Sequence, residues 1–486
     1  MASLKTNVLL NLINTVTSIL MPVVTFPYAT RVLGIEGIGI VNFQASIVNY
    51  IVLVTGLGIP MYAVKEVAKY RDNLEKRNLC ALEITVLSLL LCLVGYAVSI
   101  LLGICVPRIH EHLTIFAIFS LSIFFTAIGV NWFYQAIEDF VFITIRAVVF
   151  KVLVAVSIFI FVRTPEDLVN YSMVMVSLAV GNNFINFIHL RKYLRWSDLQ
   201  WRKMKIMRHI KPTLQIFLPY IITNIYGNLN IVMIGFLQDD AAVGIYTAAN
   251  KLIFVVLTIV TSLSVVLLPR CSNLIQSGNL EEFKQISLKS VHLVVAVALP
   301  ALTAMILLAV PMVRIACGAA FMPAAEVVQW TAPVLLLIGL SNVVGIQMFY
   351  PENKSDLVIL CTLGGALINM VLNFVLIPRY SYMGAAYSTL IAEFCVLVIQ
   401  YISGRKYVPF CVKDLKVVKY VLATLIMAVV MLLVKSLTAN QWTFFFTSAF
   451  AGISAYAVAL LLMKDAIMQE VFRYFLSMVR PAAKKR

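Results

Sequence analysis

The chain has 486 residues, of which 62% are hydrophobic and only 12% charged, with a formal net charge of +16 and a mean hydropathy of +0.95. That balance lies far outside the range of water-soluble domains and identifies a polytopic membrane protein. The positive surplus does not call for a nucleic-acid partner, because the basic residues are spread over many short links between apolar runs, as membrane topology demands. In chain order the apolar runs fall at 7–29, 38–62, 79–105, 114–134, 144–162, 168–189, 213–237, 243–269, 288–311, 325–349, 356–377, 384–402, 418–434 and 442–463. Most are about the 20 residues a helix needs to cross a bilayer. Barrel strands would be shorter and would alternate in polarity, so the fold class predicted is an all-α polytopic membrane protein with 14 transmembrane helices. The first run contains Pro22 and Pro27 and no convincing small-residue cleavage site, and it is read as a retained first helix.

Orientation follows from Lys and Arg placement. With a cytoplasmic N-terminus, 30 of the 38 basic residues fall on the inner side and six on the outer side (Arg31, Arg108, Arg163, Arg314, Arg379 and Lys435), while Lys151 and Lys251 lie within spans. Inserting or deleting one span near the middle would scramble this asymmetry, so both termini are expected in the cytoplasm. The longest polar insertion, 191–211, divides the chain into an N-terminal six-helix lobe with its linker (1–208), a second six-helix lobe (209–405) and a final helix pair with a tail (406–486). An even number of helices gives both lobes the same orientation, as in parallel-repeat transporters. Faint internal similarity supports a repeat: the second span opens "GIGIVNFQAS" and the eighth "VGIYTAAN", with Gly39 and Gly244 each followed by Ile. The linker, with Trp196 and Trp201, reads either as a helix lying on anionic lipid or as a solvated connector. The C-terminal segment from Lys464 allows the same two readings.

Polar residues within spans mark faces turned away from lipid. The first span carries Asn7, Asn11, Asn14 and Ser18 at helical spacing, and the seventh carries Pro219, Tyr220, Asn224, Gly227 and Asn228. Both helices contain bend-prone residues suited to a moving gate, although interhelical hydrogen bonding with ordinary kinks accounts for the same pattern. A charge at the centre of a membrane helix costs roughly 2.5–3.5 kcal/mol on insertion scales, which makes Lys151 and Lys251 notable. Snorkelling to an interface competes with a cavity role for each. Arg31 and Arg146 could extend a positive path or could serve at an interface or in packing. Glu393, in the twelfth span, is the plainly embedded carboxylate; it could bind a coupling ion or pair with a lysine. Glu83 lies one turn inside the third span, within reach of the cytosol. A cation-rich interior suits an anionic cargo such as a phosphate or pyrophosphate head group, with Asn42 and other amides available to sugar hydroxyls.

No catalytic constellation or Walker A motif is present in the sequence, and no cofactor is expected. The "HEH" at 110–112 is a weak metal pattern without a third ligand nearby, so no metal role is assigned. The eight cysteines carry no disulfide or metal spacing.

The stretch "FPYATRVLGIEGIGIVNFQAS" at 26–46 resembles the first-to-second-helix signature of Wzx-type polysaccharide (O-antigen) flippases of the multidrug/oligosaccharidyl-lipid/polysaccharide (MOP) exporter superfamily. "VGIYTAANKL" at the eighth span, "LPR" at 268–270 and "GAAYSTLIAE" in the twelfth extend the resemblance over most of the chain. The resemblance implies alternating access between two lobes, moving undecaprenyl-pyrophosphate-linked oligosaccharide units across a bacterial inner membrane. It implies no enzyme activity, and as partners it implies membrane lipids and the polysaccharide polymerase and glycosyltransferases of the same pathway. It matches Arg31 to the family's Arg before Leu-Gly, fits Lys151 and Lys251 to a cationic lumen, and sets the last helix pair beside a groove for the lipid tail. Two departures narrow it. Multidrug exporters typically carry an embedded acid in the first helix, absent here, and peptidoglycan-precursor flippases usually continue with an Arg-Asp pair that "RVLGIEGIG" lacks. A peptidoglycan-precursor flippase remains the alternative, ahead of a cation-coupled multidrug antiporter.

Overall fold

The computed structural model describes residues 4–194, 204–410, 415–438 and 440–479. Helices account for nearly all of them, and no strand occurs among the described residues. In order they are α1 (Leu4–Gly56), α2 (Ile59–Ala68), α3 (Leu74–Cys105), α4 (Pro107–His110), α5 (Leu113–Ile128), α6 (Asn131–Ala136), α7 (Phe140–Phe161), α8 (Leu168–Leu190), α9 (Ile210–Leu237), α10 (Asp240–Gln276), α11 (Leu280–Cys317), α12 (Ala324–Thr331), α13 (Val334–Asn342), α14 (Ser355–Tyr380), α15 (Tyr382–Ser403), α16 (Val418–Leu437), α17 (Gln441–Leu462) and α18 (Ala466–Val479). Each predicted span falls on helix. By length and apolarity alone, twelve helices among the described residues are able to cross a membrane. The predicted fourteen is reached only by counting α1 as two spans and α9 as one.

Where spans depart from simple rods, the sequence supplies the cause. α1 breaks at Gly34, whose φ of 71° and ψ of −176° favour a residue without a side chain. The fourth span divides into α5 and α6 at Gly129 and Val130, and the tenth divides at Pro333, which cannot continue α12. After α13 the tenth span ends as a π-helical stretch, Val343–Phe349. Two helices begin earlier than apolarity predicts because their N-termini are capped. Asn73 accepts the N–H of Lys76 to start α3, and Asn279 accepts that of Glu282 to start α11.

The chain forms two compact units, residues 1–247 and 248–486, so the seventh span belongs with the first unit and the division falls within α10. In the first unit, α2, α3 and α6 pack Tyr62, Val67, Ile84, Phe133 and Tyr134 into a core. In the second, α11 packs against α16 and α17, and a core forms around Val291, Val294, Val343, Met348 and Met427.

One polar cluster explains how the seventh span is tied to the first unit. Glu83, 1% exposed on α3, accepts the N–H of Lys205 at 2.7 Å, the guanidinium of Arg208, and the His209 Nε2–H at 2.8 Å. The Tyr62 hydroxyl completes the chain at His209 Nδ1, 2.7 Å away. Glu83 therefore does not reach the cytosol: it is enclosed by residues that precede α9. Gly58, at φ 69°, lets the start of α2 approach the backbone of Thr213 and Phe217 on α9. Burial pushes the His209 imidazole below its usual pKa, against the opposite pull of Glu83, so the buried ring is neutral. The unfolded chain takes up a proton near pH 6.5; the anchor is therefore at full strength above that pH and weakens as pH falls below it. We expect the thermal midpoint of the purified protein to drop between pH 7 and pH 5, and to drop less in His209→Gln. Tyr62→Phe removes one hydrogen bond and should cost about 0.5–1.5 kcal/mol, read as a lower midpoint at pH 7.

Candidate translocation site

The first half of α1 lies along α7. Near one end of the contact the Tyr28 hydroxyl donates to the Val162 carbonyl at 2.7 Å, with the Tyr28 and Phe159 rings 4.7 Å apart. Further along, the Lys151 ammonium meets the polar stripe predicted on the first span: Nζ donates to Asn14 Oδ1 at 2.7 Å, to the Asn14 carbonyl at 3.1 Å and to Ser18 Oγ at 2.6 Å. An ammonium has three protons, and three neutral oxygens receive them. No carboxylate lies within ion-pair distance of Lys151 among the described residues, so its dipolar partners orient the charge without cancelling it. The side chains of Asn7 and Asn11 lie outside the described residues.

Arg146 sits five residues earlier on α7, about 140° round the helix, and has different neighbours. It is 9% exposed; Nε donates to Asn182 Oδ1 of α8 at 3.0 Å, Nη2 donates to Asn131 Oδ1 of α6 at 3.2 Å, and the guanidinium lies 5.3 Å from the centre of the Phe142 ring. Its Nη1 is buried without a hydrogen bond. Arg31 is exposed and bonds the Pro27 carbonyl one turn back. Asn42 and Asn224 donate to carbonyls of their own helices, Ile38 and Tyr220 respectively. Asn228 is half-buried on α9. In the second unit Lys251 is half-buried on α10, and Glu393 is buried on α15. Of the predicted residues, the structure thus brings Lys151 together with Asn14 and sets Arg146 apart among α6, α7 and α8.

A second feature of the first unit was visible in the sequence only as a similarity of helix starts. Gly39 lies so close to the Asp240 carbonyl that a Cβ would overlap it, and Gly244 stands in the same relation to the Ile35 carbonyl. The two contacts are reciprocal in the manner of a two-fold interface, since each glycine follows by four positions the residue whose carbonyl the other one meets. Beside this crossing Arg108 Nη2 pairs with Asp240 Oδ1 at 2.9 Å, and His112 Nε2 lies 3.9 Å from Oδ2. The Phe43 ring occupies the space above Gly235. This crossing joins the start of the second span, the end of the seventh and the start of the eighth.

The fold is one that membrane transporters of known structure share. The fold matches that of "Lipid II flippase MurJ, inward closed conformation" with a TM-score of 0.77 over 95% of this chain and 100% of that one, at 15% identity. It also matches a multidrug resistance MATE family transporter of the MOP superfamily, in an inward-facing conformation, with a TM-score of 0.62 over 81% and 94% of the two chains, at 14% identity. The chain belongs to the polysaccharide biosynthesis protein family, whose profile matches residues 4–275; the MatE profile matches residues 216–375. Among curated relatives, the "Putative O-antigen transporter" of Escherichia coli (strain K12) is 23% identical over 410 residues, 83% of this chain and 98% of that protein. The protein of the same name from Shigella dysenteriae is 22% identical over 399 residues, 81% of this chain and 98% of that one. The kinship read from "FPYATRVLGIEGIGIVNFQAS" is borne out.

Proposed function

We propose that the protein is a flippase that carries undecaprenyl-pyrophosphate-linked oligosaccharide units from the inner to the outer leaflet of the bacterial plasma membrane, for surface-polysaccharide synthesis. Transport proceeds by alternating access between two six-helix lobes, residues 1–208 and 209–405, with 406–486 supplying the last helix pair. The observation that carries this reading is Lys151, a membrane-embedded ammonium held by neutral oxygens of the Asn14 and Ser18 stripe. It offers positive charge to an anionic head group in a low-dielectric setting, where charge attraction is strong. The names and folds of the relatives support the same reading.

In this scheme Lys151 and Lys251, with Arg31 and Arg146 along the path, attract the pyrophosphate. Asn14, Asn42, Asn224 and Asn228 bond sugar hydroxyls, and Glu393 binds the coupling ion. The polymerase and glycosyltransferases of the pathway act on either side of the transport step. Deleting the protein should make a pyrophosphate-linked oligosaccharide accumulate on the inner leaflet, identified by mass spectrometry of extracted lipid. Unchanged lipid pools with normal surface polysaccharide would refute the proposal. Lys251→Ala and Lys251→Glu are expected to lower export while the protein stays in the membrane.

A further inference from the structure

Helix α17, long and apolar enough to span the membrane, ends in a turn that its backbone fixes. Lys464 takes φ 52°; its N–H bonds the Leu461 carbonyl at 3.1 Å and the Asp465 N–H bonds the Leu460 carbonyl at 3.0 Å, the paired bonds of a Schellman close. Asp465, itself buried, then starts α18. Its Oδ1 accepts the N–H groups of Ile467 and Met468, each at 3.1 Å, and its Oδ2 accepts the Tyr420 hydroxyl at 3.1 Å. Tyr420 lies in the first turn of α16, another helix able to span, so α18 begins at the level where one span starts and the next ends. A third tie holds its second turn: Glu470 pairs with Lys289 of α11 at 2.8 Å, at the start of that helix's apolar run.

The sequence of α18, "AIMQEVFRYFLSMV", is two-sided. At the helical repeat, Gln469, Glu470 and Arg473 share an arc of about 100°, and outside that arc the helix has only Ile, Met, Val, Phe, Tyr and Leu. Met468 packs against the core of the second unit, but Phe472, one turn further along the same face, is 45% exposed. The protein thus covers only the beginning of the apolar face. A two-sided helix held at membrane level with apolar surface uncovered lies in the plane of the bilayer surface. Charge selects the lipid. From Lys464 to the end the sequence has six basic residues and two acids, and both acids are already held, Asp465 by the helix it caps and by Tyr420, Glu470 by Lys289. Arg473 is exposed and makes no ion pair among the described residues, and the same is true of Lys416 and Lys419 beside the start of α16. The balance presented to a partner is positive, which favours anionic head groups.

We infer that α18 is an interfacial helix that binds anionic phospholipid of the cytoplasmic leaflet, with Phe472 among the acyl chains and Arg473 among the head groups. Through Tyr420 and Lys289 this contact fixes the ends of α16 and α11 at the membrane surface. It is independent of the cargo.

The test uses the full-length protein with a benzophenone side chain in place of Phe472, in nanodiscs of phosphatidylcholine with a minority of phosphatidylglycerol. Irradiation should give lipid adducts. Counted by mass spectrometry, the share of phosphatidylglycerol among them should exceed its share of the bilayer by about fivefold, the effect of one basic residue at an anionic surface. Arg473→Gln combined with truncation after Val479 leaves the Asp465 cap and the Lys289 pair in place; it should lose most of that excess at an unchanged thermal midpoint. Adducts no richer in phosphatidylglycerol than the bilayer, or an excess that survives the double change, overturn the assignment. Capture of a protein in place of lipid in native membranes, or no adduct at all, overturns it too, by placing this face against another protein or in water.

Discussion

Replacing Lys151 by glutamate is expected to abolish surface-polysaccharide export while leaving the protein in the membrane. The substitution reverses a charge whose three hydrogen-bond partners are all acceptors towards it: Asn14 Oδ1, the Asn14 carbonyl and Ser18 Oγ. A carboxylate there meets two oxygens that cannot donate, and it repels an anionic head group. Lys151→Ala removes the charge without reversing it. Hydrogen bonds to charged groups contribute about 1.5–3 kcal/mol each, and roughly 1.4 kcal/mol corresponds to a tenfold change in equilibrium, so loss of even one such interaction with the cargo predicts a drop in export of at least about tenfold. Lys151→Arg keeps the charge but exchanges a compact ammonium for a planar fork, and its export should fall between that of the wild type and that of Lys151→Ala. Export is read from extracted surface polysaccharide, normalised to the amount of protein in the membrane fraction. Wild-type export by Lys151→Glu would remove the ammonium from the mechanism.

Valine at Gly39 or at Gly244 should be about as damaging, for a steric reason. At both positions a side chain would occupy the space of a backbone carbonyl, that of Asp240 in one case and Ile35 in the other, and backbone cannot rotate aside as a side-chain tip can. Overpacking of close contacts costs about 1–3 kcal/mol, sometimes more, and here it falls on the tight crossing of the first unit. Because the two contacts are reciprocal, Gly39→Val and Gly244→Val should lower the thermal midpoint and export to a similar degree. Gly34→Ala provides the contrast. Gly34 has open space around its missing side chain, so alanine there meets no clash and its cost is only that of holding φ 71° and ψ −176°, a region all but reserved to glycine, about 1–3 kcal/mol. A Gly244→Val protein with wild-type midpoint and export would show that the crossing is dispensable.

Much of the architecture was legible without coordinates because the bilayer imposes it. Backbone groups in hydrocarbon must be bonded within their own segment, so runs of about 20 apolar residues become helices wherever they occur. Even the irregularities, at Gly34 and Pro333, fall on residues whose backbone chemistry causes them. What the apolar pattern could not reveal is facing. Lys151 and Arg146 share one helix and one charge, yet Lys151 turns to the Asn14 stripe while Arg146 is held by Asn131 and Asn182. Nothing in the composition of α7 distinguishes them, since the difference lies in which helices pack against each face.

The same division accounts for what sequence reasoning missed. Glu83 stood out as an acid within a span, but its partners Arg208 and His209 lie about 125 positions away in a basic run that topology alone explained. Arg108 and Asp240 are 132 positions apart, and neither is unusual beside its own neighbours. Sequence by itself determined that this is a helical membrane protein, where its spans lie and what kinds of charge they carry, because those properties follow from each segment's own exchange between water and lipid. Only the tertiary structure decided that Lys151 meets Asn14, that Glu83 is enclosed, and that Gly39 and Gly244 face each other's carbonyl neighbours. Each of those outcomes is a contact between distant segments, and its energy exists only once packing has brought both partners to the same place.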